Sequence, residues 1–274
     1  MPKFILPPQS NTVFQLLFGD QRNADLIADF LKAVTDTPDD EYRDIVIVNP
    51  NLTHEYPDKK LGVVDLRLTT SSGQIIHVEI QRKTFPAMRN RIVFYDSRLI
   101  AGQIGKGNKY ENIKRVISIL ITNYTLIQES PLYHHRFTLY DHRAAVEFSD
   151  LLEIRTLELT KIPEVPDVYL WNWLRFFRAT TKEELDMIAN ASPAMQKATA
   201  RVAQLSEDER ARLMHEYELI AELDERARLD DARAEGEKAS ALAIARNAME
   251  MNIPLENISM LTGLSFDEIK KLAH

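Results

Sequence analysis

An aspartate and a glutamate in the segment VVDLRLTTSSGQIIHVEIQ (63–81) are the residues whose types and spacing could support catalysis. Two runs of alternating apolar and polar residues flank a Ser-Ser-Gly loop (71–73), a pattern typical of a β-hairpin. If the residues flanking that loop face each other, Asp65 lies directly opposite Glu79. Opposed side chains of an antiparallel pair are roughly 5 Å apart at Cβ, and like charges there are destabilising. This pairing therefore predicts that either water or a cation separates the two carboxylates.

Two interpretations of the acidic pair remain open. In the first, the polar face of a half-exposed hairpin meets water and the carboxylates splay apart. In the second, a hard cation such as Mg²⁺ or Mn²⁺ binds Asp65 and Glu79, and the carbonyl of Ile80 adds a third oxygen. Gln81 shares a strand face with Glu79, so its amide could orient an attacking water, although it cannot supply positive charge. The chemistry of such a site would be metal-dependent hydrolysis of a phosphodiester.

Other chemistries find little support in the sequence. The chain has no cysteine, which excludes disulfides, thiol nucleophiles and cysteine-ligated zinc. It contains no phosphate-binding glycine motif and no nucleophile elbow, and its histidines lack the spacing of metal ligands. A composition of 45% hydrophobic and 27% charged residues is that of an ordinary globular protein.

Positive charge is concentrated directly after the acidic pair. Residues 82–115 contain nine Lys or Arg against two acids, a net charge of +7, whereas the whole chain carries −7. This segment predicts a surface that follows the phosphate backbone of DNA, with a solvated basic helix as the alternative. The predicted nucleic-acid-binding residues are Arg82, Lys83, Arg89, Arg91, Arg98, Lys106 and Lys109, and Tyr95 is an accessory candidate.

The elements that would position these residues form a mixed sheet flanked by helices, an α/β fold. Hydrophobic periodicity predicts one or two helices over 11–34, interrupted near Gly19, a helix over 90–104 and another over 169–177. The predicted strands, besides the hairpin, are 45–48, a central strand at 115–124, and 136–140 and 154–159.

The C-terminal part is rich in Ala, Glu, Arg and Leu. Ser206 and Glu209 have capping-box spacing and predict the start of a long charged helix or helical pair, which could support a homo-oligomer. Beyond it, residues 252–272 predict two short helices around Gly263, similar to a helix-turn-helix. Asp267 and Glu268 stand where base-reading side chains would be expected, so ordinary helical packing is favoured there.

The order of several segments resembles the PD-(D/E)xK nuclease superfamily, and specifically the recombination-promoting nucleases, often labelled transposases. The resemblance extends over nearly the full chain and rests on the order of its motifs. They are NTVFQLLFGDQRNADLIADFLKAV (11–34), NPNL (49–52), VVDLRL (63–68), VEIQ (78–81), RNRIVFYDSRL (89–99), GNKYENIKRVISILI (107–121), LELTKIP (157–163) and IPLENISMLTGLSFDEIKKL (253–272).

This resemblance implies a restriction-endonuclease-like mixed sheet with a helical C-terminal extension, and a Mg²⁺- or Mn²⁺-dependent DNA endonuclease with a role in DNA recombination. Asp65 and Glu79 would be the metal ligands, and Gln81 would replace the lysine of the superfamily. The first helix departs from the family pattern, because Asn11 and Gln15 occupy positions where relatives tend to have Asp and Lys. The alternatives are therefore a catalytically weakened DNA-binding or regulatory protein with the same fold, and a helical oligomerisation protein whose acidic pair is merely solvated.

The resemblance and the composition together predict three regions: a nuclease-like core (1–165), a helical region packed on it (166–205), and the long helix with its tail (206–274). The first ten residues lack the apolar run of a signal peptide, and the most apolar stretch, 116–127, is too short to span a bilayer. We therefore expect a cytoplasmic protein that does not enter the membrane.

Overall fold

A computed structural model describes residues 4–35, 37, 39–48, 65–105, 107, 109–166 and 168–272, with the backbone alone for Asp39 and Asp65. These residues form an α/β fold. The helices are α1 (Asn11–Phe18), α2 (Ala24–Val34), α3 (Met88–Ala101), α4 (Leu170–Arg178), α5 (Lys182–Ala189), α6 (Pro193–Glu207), α7 (Glu209–Glu250), α8 (Leu255–Thr262) and α9 (Phe266–Lys271). The strands are β1 (Val46–Val48), β2 (Asp65–Thr69), β3 (Ile75–Gln81), β4 (Val116–Thr122), β5 (His134–Asp141) and β6 (Val146–Glu158).

The described strands form one mixed sheet in the order β1-β2-β3-β4-β6-β5. β3, β4 and β6 run parallel, and the remaining neighbours are antiparallel. Every residue of β4 is buried, as expected of a central parallel strand covered on both faces. The predicted mixed α/β sheet is confirmed. The carboxyl ends of β3, β4 and β6 meet at one edge, where Gln81, Thr122 and Glu158 are in register.

Helices α1, α2, α4 and α6 cover one face of this sheet. Their apolar sides meet those of the strands in the main hydrophobic core. Aromatic rings fill its centre: Phe18 lies 5.8 Å from Trp173 and 5.9 Å from Phe177 between ring centroids. Each large aromatic side chain buried in this way contributes substantially to folding, so this half of the fold is a rigid support for the sheet.

Helix α3 covers the opposite face, above β3 and β4. Met88 and Ile92 pack on Leu120 of β4. Asp96, fully buried on the same side of α3, places Oδ1 3.6 Å from Nδ1 of His77 on β3. The polar face of β3 is therefore buried under α3. The interpretation in which this face of the hairpin meets water is wrong for β3.

Two predicted boundaries needed correction. The helix predicted over 90–104 begins at Met88 and gives way to a turn at Gly102, because the side-chain amide of Gln103 binds both backbone groups of Lys114 (2.9 and 2.7 Å) and directs the chain towards β4. The strand predicted over 154–159 begins much earlier, at Val146, because it also pairs with β5.

Ser206 does not cap the long helix. It lies buried inside α6, where its hydroxyl donates to the carbonyl of Val202 (2.7 Å) and accepts from the backbone N–H of Leu6 (2.9 Å). Asp208 caps α7 instead, since its carboxylate accepts the N–H of Ala211 at 2.7 Å. The predicted capping box was wrong because the serine is buried inside α6 and bonds to Val202 and Leu6.

The chain forms two compact units, the first ending at Glu218 and the second beginning at Leu219. In the second unit, Ile258 of α8 and Ile269 of α9 pack on Ala245 and Ala248 of α7. The two predicted tail helices are confirmed, with a left-handed Gly263 (φ +70°) between them. The finer division at residues 165 and 205 stays a prediction. None of the described helices is long and apolar enough to cross a membrane.

Candidate metal centre and active site

The register of the hairpin places the two acids opposite each other. Asp65 pairs directly with Glu79 across β2 and β3, as predicted. The turn that fixes this register begins with Thr70, whose N–H donates to the carbonyl of Gln74 at 3.0 Å, and it uses a left-handed Gly73 (φ +86°). The side chain of Asp65 lies outside the part of the chain that the structure describes, so the pairing is known from the backbone.

Glu79 lies in a protected position, with 7% of the residue exposed. Arg91 of α3 places Nη2 3.7 Å from the carboxylate oxygen Oε1 of Glu79. Burial disfavours an ionised carboxylate, whereas a nearby cation favours it. The guanidinium therefore places positive charge beside a carboxylate that has little contact with water.

The backbone carbonyl of Ile80 offers a further oxygen on the side of β3 that faces β2. The carbonyl of Gln81 accepts the N–H of Asn123 at 3.1 Å, on the β4 side of the strand. Because consecutive carbonyls of a strand point in opposite directions, the carbonyl of Ile80 points towards β2, which carries Asp65. The side chain of Gln81 is half-buried at the end of β3.

This donor set fits a hard divalent cation. Carboxylate and carbonyl oxygens are the ligands that Mg²⁺ and Mn²⁺ prefer. Among the side chains that the structure describes, no group of three His, Asp or Glu is arranged to hold a metal. A metal at this edge would depend on Asp65, Glu79 and the carbonyl of Ile80, and the first of these side chains is not described.

Sequence reasoning missed a tyrosine at the same edge of the sheet. The phenol oxygen of Tyr124 is buried and has no hydrogen-bond partner among the described residues. Burial, followed by the negative charge of Glu79 and that of Glu158, raises the pKa of Tyr124 to about 12, while Arg91 opposes this effect. Tyr124 is thus a protonated donor near Glu79. Its position two residues beyond β4 was the only signal in the sequence.

Glu158 fixes the loop that carries Tyr124. This fully buried carboxylate accepts the N–H of Leu126 at 2.9 Å and of Ile127 at 3.3 Å. Lys161 places Nζ 2.9 Å from it and also donates to the carbonyl of Ile127 at 2.6 Å. The carboxylate and the lysine therefore hold the segment after β4 in one conformation.

A second glutamate missed by sequence reasoning binds the start of α1. The carboxylate of Glu218 accepts the N–H of Asn11 at 2.9 Å and of Thr12 at 3.0 Å. Arg82, the residue after Gln81, lies 3.5 Å from the same carboxylate, and so does Nδ1 of His215. Burial raises the pKa of Glu218, but the hydrogen bonds from His215, Thr12 and Asn11 outweigh it and lower the pKa to about 2.

The two accessory candidates on α1 therefore differ in their surroundings. Asn11 is connected to the end of β3 through Glu218 and Arg82. Gln15 is half-buried one turn further along α1. Because the carboxylate of Glu218 is already bound by helix N–H groups, it positions this region rather than offering a free metal ligand.

The predicted phosphate-binding residues differ in their partners and in their exposure. Three arginines already have acidic partners: Arg82 with Glu218, Arg89 with Glu129 at 2.7 Å, and Arg91 with Glu79. Lys83, Arg98 and Lys109 are exposed, as is Arg89 beside Glu129, and Lys106 lies outside the described residues. Tyr95 is exposed, and its ring lies 5.7 Å from the guanidinium of Arg91.

A comparison with known protein families finds one match. A family model described as PD-(D/E)XK nuclease family transposase matches residues 8–232. The matched region includes the acidic pair, Gln81, Tyr124 and Glu218. No curated protein and no solved structure matches the chain.

Proposed function

The chain belongs to the PD-(D/E)XK nuclease family of transposases, and from this we propose that it is a DNA endonuclease that hydrolyses phosphodiester bonds with Mg²⁺ or Mn²⁺. The observation that carries the proposal is the direct pairing of Asp65 with Glu79 at the edge where the parallel strands end. Ligands and catalytic groups of α/β sheets gather at the carboxyl ends of the strands.

Asp65, Glu79 and the carbonyl of Ile80 would hold the cation. When bound, a divalent ion offsets charge on the phosphate and lowers the pKa of an attacking water. Gln81 would orient that water through its amide, which can donate and accept hydrogen bonds. The amide brings no positive charge, but Arg91 supplies a cation 3.7 Å from Glu79. We propose that this arginine provides part of the charge that the superfamily's lysine provides elsewhere.

Exposed cations near the site would bind the DNA backbone. Lys83 follows the catalytic strand, Arg98 lies on α3, and Lys109 follows that helix. Contacts of this kind are independent of base sequence and weaken as salt increases. Such residues would position DNA over the acidic pair without selecting a sequence.

The test is cleavage of supercoiled plasmid DNA by the purified protein in Mg²⁺, Mn²⁺, Ca²⁺ or EDTA. We expect cleavage with Mg²⁺ or Mn²⁺, its loss in EDTA, and a loss of about 100-fold or more in Asp65→Ala and Glu79→Gln. Asp150→Asn, which changes an exposed carboxylate on β6, is the matched control and should cleave normally. Equal cleavage by Asp65→Ala and the unmodified protein would contradict the proposal.

A DNA-binding protein without cleavage is the second candidate. It is favoured by Asn11 and Gln15, the neutral residues on α1 where relatives tend to have an acid and a lysine. Such a protein would bind DNA equally well with and without the Asp65→Ala substitution, and neither form would cut it. Binding measured beside the cleavage assay therefore separates the two candidates.

A further inference from the structure

Three large aromatic side chains are exposed beside the candidate metal centre. Phe85, Phe94 and Tyr95 have 53%, 57% and 40% of their residue surface exposed, and we call them the α3 aromatic patch. Single exposed apolar residues are common, but a contiguous group usually marks a binding surface. These three are contiguous, since Phe94 and Tyr95 have ring centroids 5.5 Å apart and Arg91 joins Tyr95 to Phe85.

Arginines lie against the rings. The guanidinium of Arg91 is 5.4 Å from the centroid of Phe85 and 5.7 Å from that of Tyr95, and Arg98 is 6.0 Å from Phe94. The same Arg91 reaches within 3.7 Å of Glu79. One side chain therefore connects the buried carboxylate to the exposed rings, which places the aromatic patch next to the position proposed for the scissile phosphate.

The loop before α3 fixes the first of these rings. Ala87 has a left-handed backbone (φ +59°), and the N–H of Met88 donates to the carbonyl of Phe85 at 3.2 Å. A non-glycine residue in this conformation is uncommon and has to be held by its surroundings. Phe85 is thus presented at the surface by a defined turn, beside the half-buried Arg91.

We propose that the α3 aromatic patch stacks unpaired bases, and that the substrate of this site is single-stranded or locally unpaired DNA. The inference rests on the proposed function for the position of the scissile phosphate. Exposed aromatic rings beside arginines are the arrangement that binds single strands, because every base has a π-face and the cations contact the backbone. In duplex DNA the faces of the bases are stacked on each other and cannot reach such rings.

The charge of α3 favours a polyanion over a second copy of this chain as the occupant. α3 carries Arg89, Arg91 and Arg98, and its one acid, Asp96, is fully buried. Glu129 partly offsets the charge of Arg89 and Glu79 that of Arg91, but no acid of α3 itself is exposed, so this helix presents arginines and aromatic rings on the same surface. A polyanion with free bases complements both properties, whereas two copies of this surface would bring like charges together.

The experiment is fluorescence anisotropy with a labelled single-stranded oligonucleotide that has no self-complementary segment, and with the same oligonucleotide annealed to its complement, in Ca²⁺ or EDTA so that binding is measured without cutting. We expect tighter binding of the single strand, and a loss of about 10-fold in Phe85→Ala, Phe94→Ala or Tyr95→Ala, from the usual strength of base stacking. Binding of the duplex should change little. Phe148→Ala, at an 86% exposed aromatic on β6, is the matched control and should bind like the unmodified protein.

The outcomes separate this inference from the proposed nuclease. Single-strand binding that depends on the aromatic patch supports the inference even if no cleavage is found. If the protein cleaves duplex DNA, and the variants of the aromatic patch bind single strands as well as the unmodified protein does, the inference is overturned and the proposed nuclease function stands. Light scattering tests whether the patch is instead a protein interface. If the protein self-associates, and Phe94→Ala abolishes this self-association without changing DNA binding, the inference is also overturned.

Discussion

At the scale of single residues, Tyr124 is the least expected member of the site. Its hydroxyl is buried without a hydrogen-bond partner among the described residues, and its pKa is raised to about 12 by burial and by the charges of Glu79 and Glu158. Leaving a buried polar group unsatisfied costs about 1–3 kcal/mol. A buried polar group without a protein partner therefore often binds water, an ion or a ligand. A phosphate oxygen or a water beside Glu79 would satisfy this donor.

Tyr124→Phe should therefore separate activity from stability. We expect a melting temperature close to that of the unmodified protein, because none of the described residues bonds the hydroxyl that the substitution removes. Cleavage of plasmid DNA should fall about 10-fold or more, the value of one hydrogen bond to a charged group. Tyr140→Phe, at an exposed tyrosine on β5, is the control. Unchanged cleavage by Tyr124→Phe would remove the tyrosine from the site.

At the scale of elements, α1 and α7 are joined by one carboxylate. The N–H groups of Asn11 and Thr12 at the start of α1 both bind Glu218 of α7, and Ser10 caps the following N–H of Val13 at 3.2 Å. A negative charge at a helix N-terminus satisfies groups that would otherwise lack partners and interacts favourably with the helix dipole. Because Arg82 also binds Glu218, this contact connects α1 to the end of β3.

Glu218→Gln should lower stability in a pH-dependent way. The carboxyl has a pKa of about 2 in the folded chain against an ordinary 4.5, so its contribution is fully present above about pH 4.5 and is lost as the pH falls towards 2. At neutral pH we expect a loss on the order of 2–3 kcal/mol in the free energy of unfolding.

Urea denaturation of both proteins at several pH values measures this difference. The gap should be constant between pH 7 and about pH 5 and should shrink at lower pH. Glu216→Gln, at an exposed neighbour on α7, should show almost no gap at any pH. A gap for Glu218→Gln that does not depend on pH would contradict the role of its charge.

At the scale of the whole molecule, the first compact unit extends well into the long helix. α7 begins at Glu209, and its residues Ala211 and His215 are buried in the first unit, which ends at Glu218. Further along, residues 226–240 of this helix are all exposed. The family match also ends at residue 232. The nuclease-like part therefore needs the start of α7, and the homo-oligomer expected from the C-terminal helices stays a prediction.

Two truncations test this division. A chain of residues 1–232 should unfold cooperatively and keep the plasmid cleavage of the full chain, since it retains every contact of Glu218 with α1. A chain of residues 1–207 should be clearly less stable in a circular-dichroism melt, because it loses Ala211, His215 and Glu218. If the shorter chain were as stable as the longer one, the start of α7 would not belong to the first unit.

The sequence by itself determined the local features. The alternation of residues and the turn around Gly73 were enough to pair Asp65 with Glu79, because a one-residue shift would turn every side chain of the strand to the wrong face. The glycine between the two tail helices also predicted where the first of them ends. Such features depend on residues that are close in the chain, so a short segment of sequence is enough to predict them.

Only the tertiary structure decided what surrounds the acidic pair. Glu79 is buried because α3 packs over its face, Tyr124 approaches it from the loop after the next parallel strand, and Glu218 reaches Asn11 across 207 residues of chain. Ser206 was assigned to the wrong helix for the same reason, since its partner Leu6 lies 200 residues away. Contacts between distant segments follow from how whole elements pack, and no local pattern of residues carries that information.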